Sequence, residues 1–280
     1  MRRSSVRAAR TAEVRAFVEG VGRKAVGIVE QTGSTTLLMF EALGWVWRAV
    51  APPRARLGVV AISTQVVRAG VRAVFIVSLV SGAVGLILTL QMAPPLEEFG
   101  SKATVANIVG VAVLRELGPL IAAIVMTGFA GAAIAAEIGT MVVGEEIEAL
   151  EVHALDPVRF LVVPRVVAAV VSMLCVTVIA NAVSIGAALV GSKTVLGIPY
   201  VTFWENFLFQ VSLADYLTGL AKSVVFGLLI GAIACANGLR VTGGAMGVGN
   251  ATTSTVVQCV VSIVIADLLF TATFFALGLH

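Results

Sequence analysis

Residues 117–192 read LGPLIAAIVMTGFAGAAIAAEIGTMVVGEEIEALEVHALDPVRFLVVPRVVAAVVSMLCVTVIANAVSIGAALVGS, and this stretch decides the fold. It begins and ends with charge-free runs, Leu117 to Ala136 and Val166 to Ser192. A helix rises about 1.5 Å per residue, so a run of roughly 20 residues crosses about 30 Å of hydrocarbon. Between the two runs Glu137, Glu145, Glu146, Glu148, Glu151 and Asp156 crowd together, in a chain that is 59% hydrophobic and only 12% charged. Ionised groups are costly inside lipid. The acidic segment therefore reads as a short loop and helix held at a membrane surface between two spans. Within it, Glu145 to Val152 carries apolar Ile147 and Leu150 among acidic neighbours, a surface suited to a groove with basic edges.

Further charge-free runs lie on both sides, from Ala73 to Leu96, Ser223 to Leu239 and Val241 to Ala266. With a mean hydropathy of +1.02, the chain is far more apolar than a soluble core of this size requires. The runs lack the two-residue alternation of an outer-membrane barrel. The expected fold is an all-α polytopic membrane protein with five transmembrane helices and a coupling helix between the second and third. Span one is expected to break at Pro94-Pro95 and Glu97-Glu98.

Twelve of the nineteen lysines and arginines precede Ala73. The positive-inside rule places that end in the cytoplasm. Five spans then put His280 on the far side of the membrane and return the acidic loop to the cytoplasm. The net charge of +3 reads as a topology signal, with no need for nucleic acid as a partner. Residues 1–30 form a basic extension, 31–67 an interfacial amphipathic region and 68–280 the membrane domain. In the second region Phe40, Leu43, Trp47 and Val50 follow helical spacing before Pro52-Pro53, as in a helix lying on the membrane interface.

Cys175, Cys235 and Cys259 fall inside predicted spans and read as small hydrophobes. The histidines are His153 and His280 alone, too few for a histidine-built metal site or a Ser/His/Asp triad. No phosphate-binding loop of the GxxxxGK[ST] type occurs. No catalytic residue, metal site or cofactor is expected in this chain. Small residues four apart (Gly128, Ala132 and Ala136; Gly131, Ala135 and Gly139; Gly227 and Gly231) suit close helix packing, within one bundle or across a dimer seam. Arg115 and Glu116 lie at membrane depth, where they form a structural ion-pair network or line a solvated pocket. With Asp267 they would also serve an ion relay, the alternative reading of the chain as a secondary transporter or channel.

LRELGP (114–119), AEIGTM (136–141), EEIEALE (145–151), LDP (155–157) and LVVPR (161–165) resemble the MlaE/YrbE permease family, as does GVGNATTSTVV (247–257) leading into the last span. The resemblance covers nearly everything after span one begins. It implies a homodimeric or paired permease of a lipid ABC transporter in a bacterial inner membrane, a setting in which the far side that holds His280 is the periplasm. It implies three partners: a cytoplasmic ATPase that consumes the ATP, a periplasmic MCE-domain lipid carrier and a second permease copy. It also implies an interfacial N-terminal helix and a coupling segment, here Glu145, Glu146, Glu148, Leu150, Glu151 and Asp156. Pocket-lining positions carry over to Leu88, Leu96, Phe99, Arg115 and Glu116, where the leucines and the phenylalanine would take acyl chains and Arg115 a phosphate. Two departures stand out. Phe129 occupies a position where the family commonly has a basic residue, so an ion pair is expected to be missing there, and His153-Ala154 stands where Met-Gly usually precedes Asp-Pro.

Overall fold

The computed structural model describes residues 59–276 apart from 99, 102 and 103, together with 22, 33, 35–41, 44, 45 and 278. Within residues 59–276 seven helices follow in order: α1 (Ile62–Glu98), α2 (Val105–Val143), α3 (Glu146–Val152), α4 (Val158–Leu196), α5 (Tyr200–Gln210), α6 (Leu213–Leu239) and α7 (Gly244–Ala276). All but α3 and α5 are long and apolar enough to cross a bilayer. Helices are the natural solution there, since each satisfies its own backbone N–H and C=O groups away from water.

The five spans run longer than the charge-free runs that announced them. In α1 the helix begins well before Ala73 and carries Arg68 and Arg72 in its early turns. It also continues through Pro94 and Pro95 to Glu98, so the expected break does not occur at the prolines. Each proline removes one N–H and leaves a carbonyl one turn back without its helical partner. The helix closes instead at Gly100, whose positive φ of 66° lets Gly100 N donate to Glu97 O and Ser101 N to Leu96 O.

Helix α4 lies against both α1 and α6, α2 packs on α6, α4 and α1, and α7 closes over α6 and α2. α6 is accordingly the most enclosed span, 67% of its apolar window being buried against 11% for α7. The interior divides into three apolar clusters along the bundle. Ala73, Met126, Met173, Phe226 and Ile263 meet in the first. Ile138, Val162, Val166 and Cys235 meet at the end nearest α3. At the opposite end Val109, Val113, Phe203 and Phe207 form the third.

Close approach of backbones sets the tight contacts. A Cβ at Gly85 would overlap the carbonyl of Ser184, whose own Oγ donates to Ser81 O at 2.6 Å and ties α1 to α4. Likewise Gly227 and Gly231 lie against the Cα atoms of Val170 and Val166, bringing α6 onto α4. Those two glycines serve packing within the bundle, whereas Gly128 faces open space.

Part of the interfacial region falls among the described residues. Residues 35–41 are helical, and Leu38 and Trp45 pack against the cluster at the α3 end. The Arg159 guanidinium sits 5.4 Å from the Trp45 ring centroid, a cation–π contact. Leu43, Trp47, Val50 and residues 1–21 lie outside the described residues, as does His280.

Candidate functional site: the acidic helix and the intramembrane charge clusters

Among the described residues four π-helical turns interrupt the spans, at Val67–Val71, Val113–Leu117, Thr127–Gly131 and Val158–Val162. A π turn inserts a residue into the helical register and re-aims the side chains around it, which is why such turns recur at functional sites. The second carries Arg115 and Glu116.

The two neighbours part company there. Glu116 turns towards Lys222, its Oε2 lying 2.5 Å from Nζ, and the same ammonium reaches Asp267 Oδ1 at 2.9 Å and Thr271 Oγ1 at 3.2 Å. Thr271 Oγ1 then donates to Glu116 Oε1 at 2.9 Å, closing a ring that joins α2, α6 and α7. The Lys222 side chain is wholly buried, and a buried cation persists only when paired and hydrogen-bonded. Arg115 instead approaches Asp215 Oδ1 at 3.7 Å. Asp215 sits in the first turn of α6, where it and Ser212 form a capping box. Both members of the Arg115-Glu116 pair are therefore held in ion pairs. Lys222 is easily missed in the sequence, because the charge-free run that marks the span begins one residue later, at Ser223. An ionisable residue inside an otherwise apolar stretch is the signal that points to it.

At the other end Glu137 gathers three donors. Arg165 Nη2 lies 3.0 Å from its Oε1 and Arg68 Nη1 3.4 Å, with Gln65 Nε2 at 3.3 Å from Oε2. This cluster ties α1, α2 and α4 together next to α3. Glu137 is thus well paired, with α1 and α4 each supplying a guanidinium.

Helix α3 itself is short and has no buried residue. Glu145, Glu146, Glu148 and Glu151 are exposed, while Leu150 is half-buried and Ile147 packs onto the apolar cluster beneath. Two left-handed residues bracket the helix, Glu145 and Ala154, each with φ of 57°. Ala154 is the position where the family pattern has glycine, which reaches that conformation without strain. Asp156 acts locally, its Oδ1 accepting from Val158 N at 2.9 Å to cap the start of α4.

Of the five pocket positions, Leu88 and Leu96 pack against the third apolar cluster, which also contains Leu114. Phe99 lies outside the described residues. An apolar cavity of about 600 Å³ opens beside that cluster, lined by Leu114, Ile185, Leu189, Trp204, Phe207 and Tyr216. A second, of about 500 Å³, runs along Asn107, Ile108, Val111 and Gln210. Leu88, Leu96, Arg115 and Glu116 are not among the residues lining either. Among the described residues no cluster of histidine, cysteine or carboxylate side chains is placed to hold a metal ion.

Five crossing helices, paired charges within them and an acid-faced helix on a connecting loop define the membrane subunit of a transport system. The chain belongs to the MlaE permease family, whose pattern matches residues 62–273. It is 34% identical over 262 residues to a probable ABC transporter permease protein of Rickettsia felis, covering 92% of this chain and 98% of that one. The intermembrane phospholipid transport system permease protein MlaE of Haemophilus influenzae is 31% identical over 264 residues, 94% of this chain and 98% of its own. A chloroplast relative, TRIGALACTOSYLDIACYLGLYCEROL 1 of Arabidopsis thaliana, is 35% identical over 211 residues, 75% of this chain and 60% of its own.

Proposed function

We propose that this chain is the permease subunit of an ATP-driven phospholipid transporter, with α3 as its contact to a separate ATPase. The observation that carries this reading is the build of α3. Four carboxylates face outward while Ile147 roots the helix in the cluster formed by α2, α4 and α6. A force on the exposed face would reach the bundle through that apolar root and through the Glu137-Arg165 tie beside it. Paired ATPase subunits closing on ATP would push two such helices together and reshape the space between the spans. ATP is consumed by the partner, and this chain brings no cofactor of its own.

The remaining assembly follows from the same reading. The N-terminus and α3 face the cytoplasm of a bacterial inner membrane and the C-terminus the periplasm, as the arginine-rich start directs. A second permease copy packs alongside, and a periplasmic MCE-domain protein exchanges lipid at the opposite end. On the family resemblance, Leu88, Leu96 and Phe99 are the positions for acyl chains and Arg115 and Glu116 the polar groups for the headgroup.

Reversing Glu146 and Glu148 to lysine tests the contact. The double variant is expected to fold and insert normally, to lose the copurifying ATPase and to stop transporting. A full complement of ATPase on the variant would overturn the assignment of α3.

A further inference from the structure

Near the α3 end of the bundle, α1 and α2 meet through two of their π turns, Val67–Val71 and Thr127–Gly131. Small side chains at Ala69, Ala130 and Ala133 leave a cavity of about 320 Å³ between them, with Arg68, Arg72 and Glu137 on its walls. Its size is at the low end for ligand sites, enough for a polar headgroup and too small for a pair of acyl chains. Among the described residues the charge around it is not balanced. Glu137 is shared by Arg165 and Arg68, and Arg72 has no carboxylate partner among the described residues. The two wall arginines stand four residues apart on α1, about one helical turn, and so share a face of that helix. Arg72 directly precedes the charge-free run that begins at Ala73 and is exposed, so its long side chain can reach toward the headgroups from the end of that run.

We propose that this cavity is a phosphate-ester site, in which Arg68 and Arg72 hold the phosphate of a phospholipid headgroup from the adjacent leaflet. Guanidinium is the group that meets phosphate with parallel N–H donors. Glu137, held from behind by Arg165, keeps Arg68 turned into the cavity and leaves room beside it for a cationic or hydroxylated headgroup substituent. The site rests on the transport reading and deepens it by giving the bundle a headgroup station at the opposite membrane face from Arg115, but its test is independent of ATP.

The test uses the full chain in nanodiscs with a photoreactive amino acid at Ala133, an exposed residue of the cavity wall. With phosphatidylglycerol in the disc, Arg68→Gln/Arg72→Gln is expected to reduce lipid capture by about tenfold or more, since charge-assisted contacts are lost. Arg159→Gln, which removes one charge at the same end but outside the cavity, should change capture less than about twofold. Lysine at both positions should restore part of the capture, and the melting temperature of the glutamine variant shows whether it folds. Discs containing a phosphate-free glycolipid should give little capture. Inorganic phosphate that leaves capture unchanged assigns the site to lipid, and phosphate that suppresses it assigns the same two guanidiniums to free phosphate. Equal loss in Arg159→Gln, or equal capture of the phosphate-free lipid, overturns the proposal. Neither result touches the ATPase contact, which is read by copurification.

Discussion

Replacing Lys222 by methionine is the most demanding perturbation of this bundle. The substitution keeps the length of the side chain and removes the ammonium that lies 2.5 Å from Glu116 and 2.9 Å from Asp267. Breaking a buried ion pair from one side costs about 3–5 kcal/mol, because the remaining charge stays desolvated. Glu116 is about one-third exposed and recovers some hydration, which places the expected loss near the lower end, about 3 kcal/mol. At about 2–4 °C per kcal/mol for chains of this order of size, the melting temperature in detergent should fall by about 6–12 °C. The triple variant Glu116→Gln/Lys222→Met/Asp267→Asn removes all three charges together. It should unfold within about 1 kcal/mol of the parent, since a neutral replacement of a buried pair is often close to neutral in stability. Thermal unfolding followed by fluorescence, with size-exclusion profiles before and after heating, reads both. A single variant that melts with the parent, or a triple variant that melts as low as the single, would refute the view that the loss comes from buried carboxylates left without their cation.

Gly85→Ala should lose about 1–3 kcal/mol because its methyl group meets the Ser184 carbonyl, while Gly186→Ala, facing open space, should melt with the parent. Ala154→Gly should gain about 1 kcal/mol by relieving a left-handed alanine after α3, measured in the same melts. For orientation, Ser192 is buried and makes a poor reporter, so a cysteine belongs at exposed Thr194. In intact cells with the outer membrane made permeable, Thr194→Cys should react with an impermeant thiol reagent and Ser4→Cys should not. The reverse pattern would invert the topology and remove α3 from the ATPase side.

Composition and local periodicity determined a great deal by themselves. Charge-free length is enough to name five spans, because crossing hydrocarbon is a demand on each segment alone and not on its neighbours. The acidic helix at Glu146–Val152 is legible for the same reason: its carboxylates have to leave the lipid wherever the rest of the chain goes. The helix ends are less legible, since Arg68 and Arg72 extend α1 through partners and interfacial position that hydropathy does not contain. Hydropathy also marks α5 only as part of a connection, although Phe203 and Phe207 at a spacing of four both turn inward against α2. Only the tertiary structure decided which charges meet. Glu116 and Lys222 are 106 residues apart and Glu137 and Gln65 are 72 apart, and nothing local distinguishes those pairings from others the chain could make. The same holds for Gly85 against Ser184. Small side chains announce that backbones will come close, but the register in which two helices settle is chosen by the whole packed interface.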